Sequence, residues 1–307
     1  MRHLKIKQNQ NHKNMISINA MMVCLDLSEV DEKIIAFTSS ICKLLEVKKV
    51  YFVHNIKINE LGDDFRELFG NIDLSQEIEA NIEELVQEHF QCSSEYEVLV
   101  SEESNTEIIL ADIVKQYKVE ITLIGKKSSA KGTGSLGTKL LRILPCSMLV
   151  FPEDASHDIK NVLIPIDFSD SSIHAIRLSK SLSDQLGLDL ELLHVYRLPT
   201  QYFPLISEQN AVRTAESYLQ DKFRSLKKKH PEIAEVPYHL VRAAGNSIPE
   251  RIIKHLNKKK KDLLVLGLKE NRPIPNFSLG STPISLYNSD INVPLWLVYS
   301  EKIISKK

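Results

Sequence analysis

The sequence predicts an α/β protein made of two tandem domains, each an open five-stranded parallel sheet flanked by helices. Landmarks repeat in the same order: the apolar run and Asp-Ser of residues 21–28 return at 162–169. The strand-end histidine at 54 returns at 194, and the strand-end glycine at 125 returns at 267. Such a period is far longer than a solenoid unit, so it indicates two copies of a whole domain. In each copy, short apolar runs alternate with amphipathic helical segments, which is typical of βαβ units with right-handed crossovers.

Composition narrows the class of protein. Of the 307 residues, 43% are hydrophobic and 26% are charged, as in a globular protein that buries a core. The formal net charge of -1 gives no electrostatic reason to expect nucleic acid or a membrane as a partner. The four cysteines form no C-x-x-C pair, which favours reduced thiols, and no apolar stretch approaches the length of a membrane-spanning helix. We therefore expect a cytoplasmic protein.

The organisation along the chain follows from the repeat. Residues 1–14 are rich in Lys, His, Asn and Gln and lack the apolar core of a signal peptide, so we expect a disordered leader. The first domain is predicted over 15–152 and the second over 161–300. They are joined by a polar linker at 153–160, and a polar tail follows at 301–307. A linker this short favours two domains that pack closely together.

The elements of the first copy are read from apolar runs and their boundaries. Helical spacing and a Glu-rich surface predict a helix over about 75–90. Five buried strands are predicted, at 18–26, 49–54, 95–100, 121–125 and Ser147–Phe151.

The second copy has the same plan with clearer boundaries. Gly187 marks the end of a helix over 169–186, and Pro231 ends a helix over 208–229. Pro249 lies in the first turn of a helix over 248–259. The five predicted strands are 162–167, 189–196, 238–241, 263–267 and Pro294–Tyr299.

Ligands of open parallel sheets bind at the carboxyl ends of the strands, and the repeated polar landmarks fall there. These landmarks are Asp26, His54 and Gly125 in the first copy and Asp167, His194 and Gly267 in the second. The loop after the fourth strand then leads to Gly-Ser and a helix N-terminus, which favours phosphate. Asp167, at the end of the first strand of its copy, suits a ribose hydroxyl.

Each landmark also has a structural interpretation. An Asp shortly before Ser is a good N-cap pattern, so Asp26 and Asp167 are equally expected to cap the following helix or to bond loop amides. The two histidines have no second metal ligand at suitable spacing, which favours satisfied strand-end side chains. A hydrolase triad of the serines at 169–172 with Asp167 and His194 lacks any G-x-S-x-G elbow. Trp296 is most simply a core or strand-edge residue.

With these residues in place, the sequence resembles the universal stress protein family in its tandem form, over almost the whole chain after residue 14. The ending 145–151, Pro-Cys-Ser-Met-Leu-Val-Phe, is similar to the family's Pro-Cys-Pro-Val-Leu-Val-Val. The resemblance implies an adenine nucleotide alpha-hydrolase-like, Rossmann-like fold. Binding members carry G-x2-G-x9-G-[S/T] after the fourth strand and take ATP or AMP, with ATP accompanied by Mg²⁺.

The resemblance implies a nucleotide site in the second domain. Asp167 faces the ribose there, and the backbone near Val195 faces the adenine. The phosphate loop takes its residues from the end of the fourth strand and the start of the next helix, and these are Gly267, Gly280, Ser281 and Thr282.

Both loops depart from the family pattern. Glu270 replaces the middle glycine in the second copy. Its carboxylate would repel phosphate, and a glutamate does not readily adopt the backbone angles that glycine permits. Pro273 and Pro275 further stiffen this loop. The first copy has a degenerate equivalent site, because its loop is four residues shorter and contains lysines in place of the middle glycine. The residues concerned are Asp26, Gly125, Gly134 and Ser135, with Lys126, Lys127 and Lys131 in the loop.

Three hypotheses follow. The first is a stress-response binding or signalling module, not a turnover enzyme, with adenine nucleotide in the second domain. The second is an interaction or scaffold protein in which both sites are vestigial, and the third is a slow nucleotide hydrolase. Family members pair through their last strands, so we expect Ser147–Phe151 and Pro294–Tyr299 to pair, either within the chain as a pseudo-dimer or between chains as a homodimer.

Overall fold

The computed structural model describes residues 17–57, 73–127, 133–198, 207–268 and 281–300. The predicted leader and tail, and residues 269–280 with Glu270, Pro273, Pro275 and Gly280, lie outside the described residues. In the described part of the first half, five strands alternate with four helices. In chain order these are β1 (Ile18–Cys24), α1 (Val30–Leu45), β2 (Val47–Asn55), α2 (Leu74–His89), β3 (Glu95–Ser101), α3 (Thr106–Gln116), β4 (Ile121–Lys126), α4 (Thr133–Ile143) and β5 (Ser147–Pro152).

The second half repeats this order after the connection at 153–160. Its elements are β6 (Asn161–Pro165), α5 (Asp170–Leu186), β7 (Asp189–Tyr196), α6 (Glu208–Lys229), a 3-10 turn (Pro231–Ile233), β8 (Tyr238–Arg242), α7 (Ile248–Lys258), β9 (Leu263–Leu268), α8 (Ser281–Tyr287) and β10 (Leu295–Tyr299). Gly187 ends α5 with a φ of 71°, as its position predicts. A capping box of Ser247 and Glu250 begins α7.

Most predicted strand limits are correct to within a residue or two. The first strand of each half is shorter than predicted, because β1 ends at Cys24 and β6 at Pro165, before each aspartate. The residue after each aspartate, Leu27 or Phe168, has a left-handed φ of 57° or 63°. That conformation turns the chain out of the sheet, so Asp26 and Asp167 belong to loops.

All ten strands form one sheet in the order β3-β2-β1-β4-β5-β10-β9-β6-β7-β8. Within each half the neighbouring strands are parallel, with the doubly wound order of an open α/β sheet. The halves meet where β5 and β10 pair antiparallel, with Leu149 opposite Trp296. The predicted pairing of the last strands therefore occurs inside the chain.

The centre of the junction is formed by buried, predominantly apolar side chains. Trp296 is 4% exposed, and Leu149 is 2% exposed. Helices α1, α2, α5 and α6 cover one face of the sheet, and α3, α4, α7 and α8 cover the other. Each face carries a hydrophobic core that runs through both halves without interruption. The hydrophobic cores of the two repeats are therefore continuous.

A second contact joins the halves at the carboxyl end of β4. The ammonium of Lys126 donates to the carbonyl oxygens of Tyr287 and Ser289, at 2.7 and 2.5 Å, and lies 5.6 Å from the centre of the Tyr287 ring. A lysine here complements the carbonyl groups and dipole at the end of α8. The Tyr287 phenol packs on Gly137 of α4, where an added Cβ would lie 1.9 Å from its oxygen.

Among the helices that the structure describes, none combines the length and the apolar character needed to cross a lipid bilayer.

The shared cores predict that the two halves unfold together. Trp296 is the single tryptophan of the chain and reports on the junction, whereas far-UV circular dichroism reports on all helices. We expect the urea transitions followed by the two signals to coincide, as they do for one cooperative unit. Replacing Trp296 by Ala is expected to destabilise that whole unit by roughly 3–5 kcal/mol. Two separated circular dichroism transitions in the native protein would contradict a shared core.

Candidate functional site

A cavity of about 260 Å³ lies at the carboxyl ends of β6, β7 and β9 in the second half. Five of the six predicted site residues line it: Asp167, Val195, Gly267, Ser281 and Thr282. The sixth, Gly280, is outside the described residues. The strands bring these residues together because the carboxyl ends of parallel neighbours share one edge of the sheet.

Gly267 permits a very close approach between β9 and the first turn of α5. A Cβ atom at this position would lie 2.1 Å from the Ser171 carbonyl oxygen and 2.8 Å from the Ser172 nitrogen, both of them backbone atoms. Backbone cannot rotate away as a side chain can, so glycine is required here for packing. The sequence analysis gave Gly267 a role in binding phosphate. The close contact with the backbone of α5 shows that Gly267 also has a packing role, which requires no ligand.

Asp167 organises the loop that enters α5. Its Oδ1 accepts hydrogen bonds from the backbone nitrogen of Ser169, at 3.0 Å, and from the Ser169 hydroxyl. Ser169 is the N-cap of α5, because its hydroxyl accepts from the Ser172 nitrogen. Of the two structural roles expected of Asp167, the bond to a loop amide is confirmed, whereas the helix is capped by Ser169. Asp167 is exposed and holds the capping serine, so its carboxylate stands at the mouth of the cavity.

The strand-end histidines make the same hydrogen bond in both halves. The Nδ1 of His194 lies 2.7 Å from the Ile166 carbonyl oxygen, and the Nδ1 of His54 lies 3.0 Å from that of Leu25. Since a carbonyl only accepts, Nδ1 carries the hydrogen and Nε2 is the acceptor of the neutral ring. Burial lowers the pKa of His194. These contacts support the structural interpretation of both histidines over a catalytic one.

The first half has a larger cavity of about 710 Å³ at the corresponding place. Asp26 and Gly125 line it, as their positions predict. Gly134 lies in the backbone of α4, whereas the side-chain position of Ser135 is not described. A Cβ on Gly125 would lie 2.5 Å from Cδ1 of Ile34, the far end of a flexible side chain, so this glycine is less constrained than Gly267.

Two of the three lysines that the sequence analysis placed in the first-half loop, Lys126 and Lys127, have partners within the protein. Lys126 points across to the second half, where it binds the end of α8. Lys127 makes an ion pair with Asp26, with 2.9 Å between Nζ and Oδ2. Burial alone would raise the pKa of Asp26, but hydrogen bonds from Ser28 and Lys127 outweigh it and lower the pKa. Both cations are thus engaged within the protein; Lys131 is outside the described residues.

Asp31 is a buried carboxyl group that the sequence analysis missed. It lies in the first turn of α1, is 2% exposed, and accepts from the backbone nitrogens of Asp26 and Leu27 at 3.3 and 2.8 Å. Burial, and then the nearby Asp26 charge, raise its pKa to about 6. Its equivalent in the second half is Ser172, in the same register that aligns Asp26 with Asp167. The sequence did contain a signal for this residue, because the first copy has a charged side chain where the second copy has a small polar one.

Tyr287 was also missed, although it lines the first cavity from the second half of the chain. No pattern within either repeat indicates this contact, because it depends on how the halves pack. Within the described residues, no group of three or more His, Cys, Asp or Glu side chains is arranged to hold a metal ion.

Comparison with known proteins agrees with the geometry. Residues 158–298 match the model of the universal stress protein family. A universal stress protein from Archaeoglobus fulgidus DSM 4304 superposes with a TM-score of 0.63 at 15% identity, covering 92% of this chain and 98% of that one. A functionally unknown protein from Pseudomonas aeruginosa PAO1 gives 0.67 at 12% identity, covering 95% and 96%.

A putative universal stress protein from Pseudomonas aeruginosa UCBPP-PA14 gives a TM-score of 0.61 at 12% identity, with 94% of each chain covered. At these identities the similarity shows the fold, and it extends over both halves. No curated protein matches the sequence.

The close approach at Gly267 predicts an unequal response of the two equivalent glycines to alanine. Gly267→Ala places a methyl group against backbone and is expected to lower the free energy of unfolding by about 3 kcal/mol. Gly125→Ala displaces only the end of Ile34 and is expected to cost about 1 kcal/mol. Urea unfolding of both variants measures the difference. Equal costs would show that the approach between β9 and α5 is less tight than the structure indicates.

The raised pKa of Asp31 predicts a pH-dependent cost of burying its charge. Because the folded-state pKa is about 6 and the usual value is 3.8, the wild type loses stability as pH rises from about 4 to 6. The Asp31→Asn variant lacks this titration. Its stability relative to the wild type should therefore increase over that interval by roughly 3 kcal/mol and then level off. Urea unfolding between pH 4 and 7.5 tests this; a difference independent of pH would contradict it.

Proposed function

Because residues 158–298 form a universal stress protein domain, we propose that this protein is a stress-response binding module that takes an adenine nucleotide in its second half. The observation that carries the proposal is the convergence of Asp167, Val195, Gly267, Ser281 and Thr282 on one cavity. The residues come from three strand ends and from the start of α8, so only folding brings them together. The proposal is one of binding and release, without turnover.

The size and lining of the cavity favour binding of the nucleoside part of the nucleotide inside it, with the phosphates outside. At about 260 Å³ it is slightly below the roughly 300–1,000 Å³ of typical small-molecule sites, so it suits the nucleoside part of the ligand. The apolar floor of Ile166, Leu193 and Leu266 would contact the base. Asp167 at the mouth would accept from the ribose hydroxyls, and the phosphates would extend past Ser281 and Thr282, with Mg²⁺ as their counterion.

Calorimetric titration of the full chain with AMP, ADP and ATP, with and without Mg²⁺, tests this proposal. Loss of a charge-assisted hydrogen bond is worth about 1.5–3 kcal/mol, so Asp167→Ala should weaken binding by roughly ten- to hundredfold. Asp26→Ala, at the equivalent position of the first half, is the matched control and should leave the affinity unchanged. Absence of heat up to millimolar nucleotide, or a loss confined to Asp26→Ala, would contradict the proposal.

A second candidate function is an interaction or scaffold protein that needs no nucleotide. The observation that favours it is the internal use of Lys126 and Lys127, because cations that bind the protein itself are not available to phosphate. Mass spectrometry of denatured protein after purification distinguishes the candidates. Co-purified nucleotide favours the first, whereas ligand-free protein that also gives no calorimetric heat favours the second.

A further inference from the structure

The first-half cavity differs in chemistry from the one assigned to nucleotide. Its volume of about 710 Å³ lies within the range of sites for small organic molecules. Its walls are predominantly aliphatic and come from β2, α1, α2, α3 and α4. The principal contributors are Val30, Ile34, Val53, Ile78, Leu110 and Leu140. Sites that bind small molecules are concave and mostly apolar, and this cavity, which opens to solvent, has both properties.

The cavity is completed by the other half of the chain. Tyr287 forms part of its wall and is itself 2% exposed. Gly137 leaves room for the phenol, and the ammonium of Lys126 holds the end of α8 in place. Burial raises the pKa of Tyr287, so it presents a neutral aromatic surface. The second-half cavity is lined by second-half residues throughout the described part of the chain.

The charges around the cavity do not suit a phosphate. Lys126 is turned away to α8, and Lys127 is neutralised by Asp26. Asp31 adds a second carboxyl group to the lining. The described lining therefore has two carboxyl groups, Asp26 and Asp31, against two lysines, Lys127 and the exposed Lys57, and carries no excess of positive charge to attract a phosphate. The lining also includes the imidazole of His54, and the Asp26 carboxylate suits a single hydroxyl or N–H donor.

From this arrangement we infer that the first-half cavity binds an uncharged, largely apolar small molecule, with Tyr287 of the second half forming part of its site. The protein then carries two sites of different chemistry, and the first takes part of its wall from the second half. This inference does not depend on nucleotide binding in the second half.

Fluorescence titration of the full chain with N-phenyl-1-naphthylamine, an uncharged apolar probe, tests the inference. We expect saturable binding at one site per chain. Leu110→Phe fills the cavity and should weaken binding at least tenfold. Ile252→Phe is the matched control, because Ile252 occupies the position in α7 that Leu110 occupies in α3 and lines the second cavity; it should change the affinity less than twofold.

Further variants keep the outcome decisive. If circular dichroism shows that Leu110→Phe is unfolded, Leu136→Trp serves instead, because Leu136 is only half-buried in the cavity wall. Tyr287→Ala should weaken the probe severalfold by removing the wall that the second half supplies. Equal loss with the Leu110 and Ile252 variants, unsaturable binding, or displacement of the probe by ATP would overturn the inference.

Discussion

The antiparallel pairing of β5 with β10 is the contact on which the rest of the structure depends. It turns two five-stranded sheets into one ten-stranded sheet, and it removes two strand edges that would otherwise expose unpaired backbone groups. Since Leu149 and Trp296 meet at its centre, the cores on both faces continue from one half to the other. The contact of Lys126 and Gly137 with α8 follows from this pairing, because the strands fix how close the two halves lie.

The same fold forms two cavities that differ in charge and size. In the second half a loop aspartate holds the capping serine and remains exposed at the cavity mouth. In the first half a buried helix carboxyl, Asp31, holds the loop, while Asp26 is joined to a lysine. These small exchanges leave the order of elements unchanged. They alter the charge and size of each cavity, so the repeat keeps its architecture while the chemistry of its sites diverges.

The sequence predicted the fold well because the repeat, the apolar runs and the glycine and proline boundaries all depend on local pattern. The paired last strands were also correctly predicted. The site was predicted in part: the strand ends place Asp167, Val195 and Gly267 together, but the packing role of Gly267 depends on a backbone approach that no local pattern encodes. Neither the hydrogen bonds of Lys126 to the end of α8 nor the presence of Tyr287 in the first cavity could be predicted, because both depend on how the two halves pack together.

The contact between Gly137 and Tyr287 shows what covalent fusion permits. In a symmetric homodimer every contact occurs twice, so each subunit would need both the small residue and the large one. Aligned by Gly-Ser, the second half has Pro283 where the first has Gly137, and the first half has Leu141 where the second has Tyr287. The contact is therefore one-sided. In a single chain, each copy can mutate without imposing the same change on the other copy. After gene duplication, one half can therefore supply the large side chain of a contact while the other supplies the small residue that accommodates it.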